Sequence, residues 1–437
     1  MNSKTQTTDT RKDRKPALVP KLRFPEFREA GDWTTETLGS LVTISTQKVG
    51  SNTCIPMSIT SGVGLVSQQE KFGRIIAGNS YKNYLLLKQN DFAYNKSATK
   101  EYPEGFIALY VGSELAAVPN SIFTCFRVKG LSSAPQYLNY LFLGNLHGQW
   151  LRNFIEVGAR AHGSLSINER DLLALPVPLP KGERSLAEQQ KIADCLISLD
   201  ELIVTQDRKV DTLKKHKKGL MQQLFPREEE TQPRMRFPEF QNAGQWEETI
   251  LGKMGELING LTYSPDDVRE SGLLVLRSSN VKNGEIALDD CVFVDPAIKG
   301  ANLSQPNDIL ICVRNGSKAL IGKSALIPRD MPLCTHGAFM TIFRAQAPQF
   351  VFQLFQTAKY QKQVAGDLGA TINSINGRQL LKYKFIVPKS AEQQRIADCL
   401  TSLDALITAQ TQKLETLKNH KKGLMRQLFP FMTVVEA

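Results

Sequence analysis

Side chains that could perform catalysis or bind a metal are scattered along this sequence rather than grouped. The five histidines show no spacing typical of a metal site, and no two of the seven cysteines form a CxxC pair. An odd number of cysteines favours reduced, buried thiols over a disulfide framework. The sequence therefore predicts no metal centre. These residues are His147, His162, His216, His336, His420, Cys54, Cys125, Cys195, Cys291, Cys312, Cys334 and Cys399.

One glycine-containing segment is close to a phosphate-binding loop without matching it. A P-loop has the pattern G-x-x-x-x-G-K-[ST], in which backbone N–H groups surround the phosphates. Here five residues separate Gly316 from Gly322, Lys323 and Ser324, one more than the pattern allows. The sequence also lacks the Asn/Asp-Pro-Pro-aromatic motif of adenine methyltransferases, and no nuclease carboxylate–lysine cluster stands out. We therefore expect no catalytic centre in this chain.

The charge balance favours a polyanionic partner. Lysine and arginine number 54 and aspartate and glutamate 43, which gives a formal net charge of +11. Taken alone this is weak, because many basic proteins bind no nucleic acid. No apolar run is long enough to span a membrane. The first 19 residues lack the apolar core of a signal peptide and are typical of a disordered basic tail, so we expect a cytoplasmic protein.

A 40-residue segment that occurs twice must organise the rest of the chain. Ala187–Pro226 and Ala391–Pro430 align without a gap, with 29 of 40 positions identical. Seam residues follow one another by alternating steps of four and three, which predicts a coiled coil. A helix of this length spans about 60 Å and favours a spacer over a core helix. The seam residues are Ile192, Leu196, Leu199, Ile203, Gln206, Val210, Leu213, Lys217, Leu220 and Leu224, and in the second copy Ile396, Leu400, Leu403, Ile407, Gln410, Leu414, Leu417, Lys421, Leu424 and Leu428.

Charge predicts the direction in which the two helices pair. The first half of each copy is acidic, as at Asp200 and Asp404, and the second half is basic, as at Lys214 and Lys418. Antiparallel pairing places acid against base along the whole contact, whereas parallel pairing places like against like. Two separate amphipathic helices, one on each domain, are the alternative. The mid-seam glutamines either fix the register or are tolerated polar residues.

The repeat extends beyond the helices. Pro20–Trp33 and Pro233–Trp246 share an RFPEF motif and a tryptophan. The segments that follow mix short β-branched strands, such as Leu273–Leu276, with helices near residues 136–155 and 349–368, which predicts a mixed, largely antiparallel sheet in each. With antiparallel rods, Pro430 returns beside the N-terminal RFPEF segment. We therefore predict an α/β fold in which two tandem α/β domains are separated by two long helices that form an antiparallel coiled coil, in a pseudo-twofold circular arrangement. The predicted boundaries are a tail at 1–19, domains at 20–184 and 227–388, spacer helices at 185–226 and 389–430, and a tail at 431–437.

Two divergent domains, each followed by an E-Q-Q-x-I-A-D helix ending in K-K-G-L-M-x-Q-L-F-P, resemble the DNA-specificity subunit of type I restriction–modification enzymes. The resemblance covers the chain from about Lys21 to Pro430. It implies two target recognition domains, each reading one half of a split, asymmetric DNA sequence, and helices that set the gap between the halves. It also implies no catalytic centre and no cofactor here. Two modification subunits would supply S-adenosylmethionine chemistry at adenine N6, and motor-nuclease subunits would use ATP and Mg.

On this interpretation, polar, glycine-flanked loops beside apolar strands are the candidates for DNA contact. An ordinary solvated loop is the alternative for each residue, and helix-end charge complementarity explains the rod lysines nearly as well. In the first domain the candidates are Tyr94, Asn95, Lys96, Lys100, Arg160, His162, Ser164 and Asn168; in the second they are Arg277, Ser278, Asn280, Arg314, Asn315, Lys318, Asn373 and Asn376; on the rods they are Lys217 and Lys421.

Three functions can be compared on these observations. The first is a sequence-specific DNA-binding subunit with double-stranded DNA, two modification subunits and restriction/translocase subunits as partners, and no membrane. The second is a self-contained enzyme, which the missing motifs disfavour. The third is a coiled-coil scaffold without DNA readout, which the basic balance and the paired domains disfavour. A spare apolar stripe on the rods, formed by Cys195, Leu202, Cys399 and Leu406, is expected to dock the modification subunits, the flanking domains or both.

Overall fold

The computed structural model describes residues 18–60, 62–155, 165, 167–368 and 373–430. They form two compact units. Unit 1 comprises the described residues of Met1–Thr205 and Leu414–Ala437, and unit 2 comprises those of Gln206–Lys413. The division falls within both rods, so each unit contains one predicted domain and one half of each rod.

The helices and strands follow the chain in this order. The helices are α1 (Leu38–Leu41), α2 (Gln68–Phe72), α3 (Pro135–Leu143), α4 (Leu146–Leu151), α5 (Glu169–Leu173), α6 (Ser185–Leu224), α7 (Pro348–Phe355), α8 (Ala358–Asp367), α9 (Gly377–Leu380) and α10 (Ser390–Leu428). The strands of unit 1 are β1 (Trp33–Thr37), β2 (Val42–Ser45), β3 (Ile55–Thr60), β4 (Gly64–Ser67), β5 (Leu85–Leu87), β6 (Asp91–Asn95), β7 (Phe106–Leu109), β8 (Ala116–Val118), β9 (Phe123–Val128) and β10 (Pro176–Pro180). Those of unit 2 are β11 (Glu247–Ile250), β12 (Gly255–Asn259), β13 (Val268–Arg269), β14 (Leu273–Leu276), β15 (Val281–Lys282), β16 (Glu285–Ile286), β17 (Phe293–Val294), β18 (Ile309–Cys312), β19 (Ser324–Leu326), β20 (Cys334–His336), β21 (Met340–Ala345) and β22 (Lys384–Val387).

The sheets confirm the predicted mixed, largely antiparallel α/β domains. Unit 1 has a β1–β10 ribbon and two four-stranded sheets, ordered β2-β9-β6-β7 and β4-β3-β8-β5. Unit 2 repeats this set with a β11–β22 ribbon and sheets β12-β21-β18-β19 and β13-β17-β14-β20, and adds a β15–β16 hairpin. The pairs β3–β8 and β14–β20 are parallel. The internal repeat in the sequence is therefore a repeat of the architecture.

Helices pack on the first sheet of each unit and close its core. In unit 1 the rings of Phe92 and Phe126 stack 5.1 Å apart, and Phe142 of α3 packs edge-on against both. The helical region predicted near residues 136–155 consists of α3 and α4, which are separated where Asn145 adopts a left-handed φ of 63°. Aromatic burial of this kind supplies much of the hydrophobic stabilisation of such a domain.

The rods are antiparallel within each unit. In unit 2, Gln206 Nε2 donates to Gln410 Oε1 over 3.0 Å, and Lys217 Nζ lies 2.6 Å from an Asp404 carboxylate oxygen. Residue numbers therefore rise along α6 as those of the partners fall along α10. In unit 1, Lys421 pairs with Asp200 in the equivalent contact. The alternative of two unpaired helices is excluded within each unit. None of the described helices combines the length and apolar character needed to cross a membrane.

Sequence landmarks shared by the two domains form one structural device. Asn90 takes a left-handed φ of 68° in the turn before β6. Asp91, which follows, accepts a hydrogen bond from the backbone N–H of Lys88 and a bidentate one from Arg127 on the neighbouring strand β9. Unit 2 repeats the device with Asn307, Asp308 and Arg344.

The RFPEF segment connects each domain to a rod. In unit 1, Arg23 Nε donates to Glu188 Oε1 of α6 over 2.7 Å, and both side chains are nearly buried. The Leu22 N–H donates to the carbonyl of Gln427, near the end of α10. The predicted return of the second rod to the N-terminal segment is therefore present within unit 1. In unit 2, Arg236 holds Glu392 in the equivalent contact.

Candidate nucleic-acid interface

Three polar segments predicted from the sequence meet in unit 2. Asn315 Nδ2 donates to Ser278 Oγ over 2.9 Å, and the Asn315 N–H donates to the carbonyl of Asn373 over 3.3 Å. Asn373 Nδ2 returns a bond to the carbonyl of Gly316 at 3.0 Å. These contacts unite Arg277–Asn280, Arg314–Lys318 and Asn373–Asn376, which we call the unit 2 polar cluster.

Buried strands position the cluster. Strands β14 and β18 are buried along their whole length, and the first two segments begin just beyond their last residues, Leu276 and Cys312. The third segment joins through a 2.8 Å bond from the Ile375 N–H to the carbonyl of Val313. Polar side chains therefore gather where rigid apolar elements end, an arrangement typical of binding loops.

Arg314 is the exposed centre of this cluster. The Arg314 guanidinium lies 5.7 Å from the ring centroid of Phe339, and the Arg314 backbone N–H donates to the Phe339 carbonyl. Phe339 is itself 57% exposed. A cation beside an exposed aromatic ring suits contact with bases and phosphates. Sequence reasoning missed Phe339, although a large apolar residue in a short turn between two strands was a usable signal.

The structure contradicts the prediction that Asn280 contacts DNA. It is 0% exposed, its Oδ1 accepts from the Arg277 N–H, and its Nδ2 donates to the carbonyls of Ala287 and Asp290. All its polar atoms are used to shape the loop. The Arg277 side chain lies on Asp290, with 2.8 Å between nitrogen and oxygen.

The remaining predicted residues of unit 2 are either exposed to solvent or form hydrogen bonds that hold the loops in place. Lys318 is exposed at the start of a short 3-10 helix. Ser278, Asn315 and Asn373 are half-buried, and their side-chain hydrogen bonds hold the segments together. Asn376 is exposed but accepts a bond from the Arg378 N–H as the N-cap of α9.

In unit 1, the structure likewise contradicts the prediction that Tyr94 and Asn95 contact DNA. Tyr94 is 0% exposed, and its hydroxyl donates to the carbonyl of Glu104 over 2.7 Å. Burial raises the pKa of Tyr94 well above its usual value. Asn95 is 7% exposed, and its Oδ1 accepts from the Ser97 N–H. Both side chains belong to strand β6 and offer no surface to a ligand in this structure.

Other candidates in unit 1 lie near the surface. Lys96 is half-buried and Lys100 is exposed. The Leu165 N–H donates to the Lys96 carbonyl over 2.7 Å, which places Leu165 beside the end of β6. Asn168 is exposed and caps α5 through a bond from Arg170. Arg160, His162 and Ser164 lie outside the described residues.

The prediction that the two rod lysines contact DNA is also wrong. Lys217 and Lys421 have side chains only 15% and 18% exposed, and they pair with Asp404 and Asp200 of the opposite rod. Each aspartate also accepts a bond from the domain of its unit, from Gln353 Nε2 at 2.9 Å and Tyr140 Oη at 2.8 Å respectively. These ammonium groups neutralise partly buried carboxylates and join both rods to a domain, so they are not presented to phosphates.

The buried histidines add no charge to either unit. Burial lowers the pKa of His147 to about 4 and also lowers that of His336. Each ring instead hydrogen-bonds a backbone carbonyl, that of Gly105 or Ile258. In the described part of the chain, no three His, Cys, Asp or Glu residues form a group that could hold a metal ion.

Sequence and structure comparisons agree with this architecture. A model of the type I restriction modification DNA specificity domain matches residues 244–419. The type I restriction enzyme StySPI specificity subunit of Salmonella potsdam is 28% identical over 182 residues, which cover 39% of this chain and 39% of that protein. The putative type I restriction enzyme MjaX specificity subunit of Methanocaldococcus jannaschii is 27% identical over 330 residues, 74% of each chain. Over residues 244–419 the chain is therefore similar to the type I restriction modification DNA specificity domain.

The fold of one solved structure matches nearly the whole chain. The type I restriction-modification system S subunit from M. genitalium superposes with a TM-score of 0.60 at 15% identity, over 95% of this chain and 100% of that one. The family-model match at residues 244–419 includes the whole unit 2 polar cluster and most of α10. The alignment with the StySPI subunit spans only about two-fifths of that protein, at 39%.

Proposed function

We propose that this chain is the DNA-specificity subunit of a type I restriction–modification complex and contributes no catalytic centre of its own. The observation that carries the proposal is the unit 2 polar cluster, which presents Arg314 beside the exposed ring of Phe339 and beyond the ends of buried strands. The duplicated architecture supports a split target, because two unlike domains on one repeated frame suit two different half-sites. We assign the half-sites to the domains at 20–184 and 227–388.

The partners follow from the same proposal. They are double-stranded DNA, two modification subunits and the restriction/translocase subunits. On the spare stripe, Leu202 is 56% exposed and Leu406 is 42% exposed. Exposed leucines at repeated rod positions suit the docking of two copies of one partner, so we assign this stripe to the modification subunits.

Selection from a random duplex library tests the proposal. The full chain, alone and with its modification subunits, is used to enrich bound duplexes, which are then sequenced. We expect a split motif with a fixed unread gap, together with adenine methylation only when the modification subunits and S-adenosylmethionine are present. A single contiguous motif, no motif, or methyl transfer by the chain alone would contradict the proposal.

A further inference from the structure

Unit 2 contains a strongly basic surface groove, which we call the lysine groove. It lies between the second half of α6, the start of α8 and the β11–β22 ribbon, and its volume is about 1190 Å³. Glu228 and Glu248 are its acidic lining residues. The basic residues away from the rod seam are Lys214, Lys218, Arg227, Lys359, Lys362 and Lys384.

Positive charge in the groove is only partly balanced. Lys362 pairs with Glu228, and Lys384 Nζ lies 2.9 Å from Glu248 Oε1. In the described structure, three further lysines of the groove form no direct ion pair with a carboxylate: Lys214, Lys218 and Lys359. Three unpaired ammonium groups on one concave surface repel one another and attract an anion.

Lys359 is the most constrained of these groups. It is half-buried at the start of α8. Burial lowers its pKa and Lys384 lowers it further, while Glu248 and Glu228 oppose the shift. An ammonium group in a partly desolvated position interacts more strongly with a nearby anion than one in open solvent.

The groove is not a by-product of the repeat. Tyr140 and Gln353 hold equivalent aspartates, Asp200 and Asp404, so α3–α4 corresponds to α7–α8. Counting from that pair, Leu146 and Gln149 of unit 1 stand where unit 2 has Lys359 and Lys362. In the ribbons, the partner of the fourth residue after the tryptophan is Pro176 in unit 1 and Lys384 in unit 2.

The rod lysines, by contrast, occur in both copies. Lys214 and Lys218 correspond to Lys418 and Lys422 at the repeat offset. Charge complementarity along the rods therefore explains the rod lysines in general, but it does not explain why the domain of unit 2 adds lysines opposite them. A ligand that bridges rod and domain does explain this addition.

We propose that the lysine groove binds phosphate groups of the DNA backbone, independently of base sequence, and that the described part of unit 1 has no counterpart. The inference rests on the proposed function, because it takes duplex DNA as the polyanion. A row of lysines distributed over a rod, a helix and a ribbon suits an extended chain of phosphates. Such contacts fix position and add affinity without reading bases.

Salt dependence provides the test. The triple variant Lys214→Gln, Lys218→Gln, Lys359→Gln in the full chain is compared with Lys209→Gln, Lys253→Gln, Lys299→Gln, which removes the same charge from exposed positions outside the groove. Affinity for target and scrambled duplexes is measured from low to high salt by fluorescence anisotropy. The groove variant should reduce the slope of log Kd against log salt by about 3, equally for both duplexes. Equal slopes for the groove and control variants overturn the proposal.

Lysine protection gives a second readout that needs no variant. The full chain is acylated with and without scrambled duplex, and modified lysines are quantified by mass spectrometry. Duplex should protect Lys359 several-fold more than Lys253, and ATP in place of duplex should protect neither. Protection of Lys359 by ATP alone, or by neither ligand, overturns the assignment to a DNA backbone.

The two proposals fail in distinguishable ways. A chain that selects a split motif but shows no groove effect retains its proposed function and loses this inference. A chain with a groove-dependent slope and no base preference retains the lysine groove and loses the role as a specificity subunit. A chain that binds no duplex at all loses both.

Discussion

At the scale of single residues, Arg314 is the side chain through which base preference is most directly open to test. It is exposed, stands next to an exposed aromatic ring, and lies on loops held by the hydrogen bonds of Asn315. Its neighbour Asn280 shapes the loop without being exposed. Arg314 is therefore available to contact a ligand, whereas Asn280 maintains the loop conformation, and substitutions should separate these two roles.

Arg314→Ala should weaken binding to the target by about 1–3 kcal/mol and relax base preference in one half-site only, because only unit 2 carries this side chain. Library selection with the variant chain measures both effects. The exposed Arg329→Ala removes the same charge outside the cluster and should leave the motif unchanged. Altered preference in both half-sites would contradict the assignment of one half-site to each domain.

His147 should make unit 1 sensitive to acid. Because burial lowers its pKa to about 4 from 6.5, the unfolded chain binds a proton between these pH values that the folded chain does not. Stability should therefore fall as pH drops from 6.5 to 4, by up to about 3 kcal/mol from this residue. In His147→Gln, which retains a donor toward Gly105, urea unfolding should depend less on pH across this window. An unchanged pH dependence would show that folding does not lower the pKa of His147.

At the scale of elements, the repeat provides two equivalent tryptophan sites that differ in one hydrogen bond. Trp33 Nε1 donates to Glu188 Oε1 at 3.3 Å, whereas the equivalent Trp246 Nε1 is buried with no hydrogen-bond partner in the described structure. Both indoles are about 95% buried, at 4% and 5% exposed. The two sites therefore have similar burial and unequal hydrogen bonding.

Trp33→Phe should destabilise the chain by about 1 kcal/mol more than Trp246→Phe. The first substitution removes a bond to a buried carboxylate, and the second removes an unsatisfied donor. Both lose a similar apolar volume, so each variant serves as the control for the other. Urea unfolding followed by far-UV circular dichroism measures the difference, and a larger loss for Trp246→Phe would contradict this account.

At the scale of the whole molecule, the rods should determine the gap between half-sites. Removing one heptad from each rod at the same level, residues 205–211 and 405–411, shortens both helices by about 10 Å, or about 3 base pairs of duplex, and leaves the Asp200–Lys421 and Asp404–Lys217 pairs in place. Library selection should then return the same two half-sites with a gap shorter by about 3 base pairs. Removing a heptad from one rod alone should misalign the seam and lower the unfolding midpoint. An unchanged gap in the paired deletion would mean that the rods do not set the spacing.

The sequence by itself determined the repeat, the antiparallel rods and the mixed, largely antiparallel sheets. These features follow from local properties, since seam periodicity and the acid-to-base gradient along each rod are read directly from neighbouring residues. The predicted strand Leu273–Leu276 matches β14 at both ends. Charge complementarity was sufficient to predict the direction of the rods because it acts along their whole contact.

Only the tertiary structure decided which polar residues are exposed and which are paired. Lys217 has its carboxylate partner 187 residues away, and Tyr94 is buried by packing on the first sheet of its unit. The lysine groove combines a rod, a helix and a ribbon that are far apart in the chain. Exposure and ion pairing depend on distant residues brought together by folding, so no local pattern in the sequence specifies them.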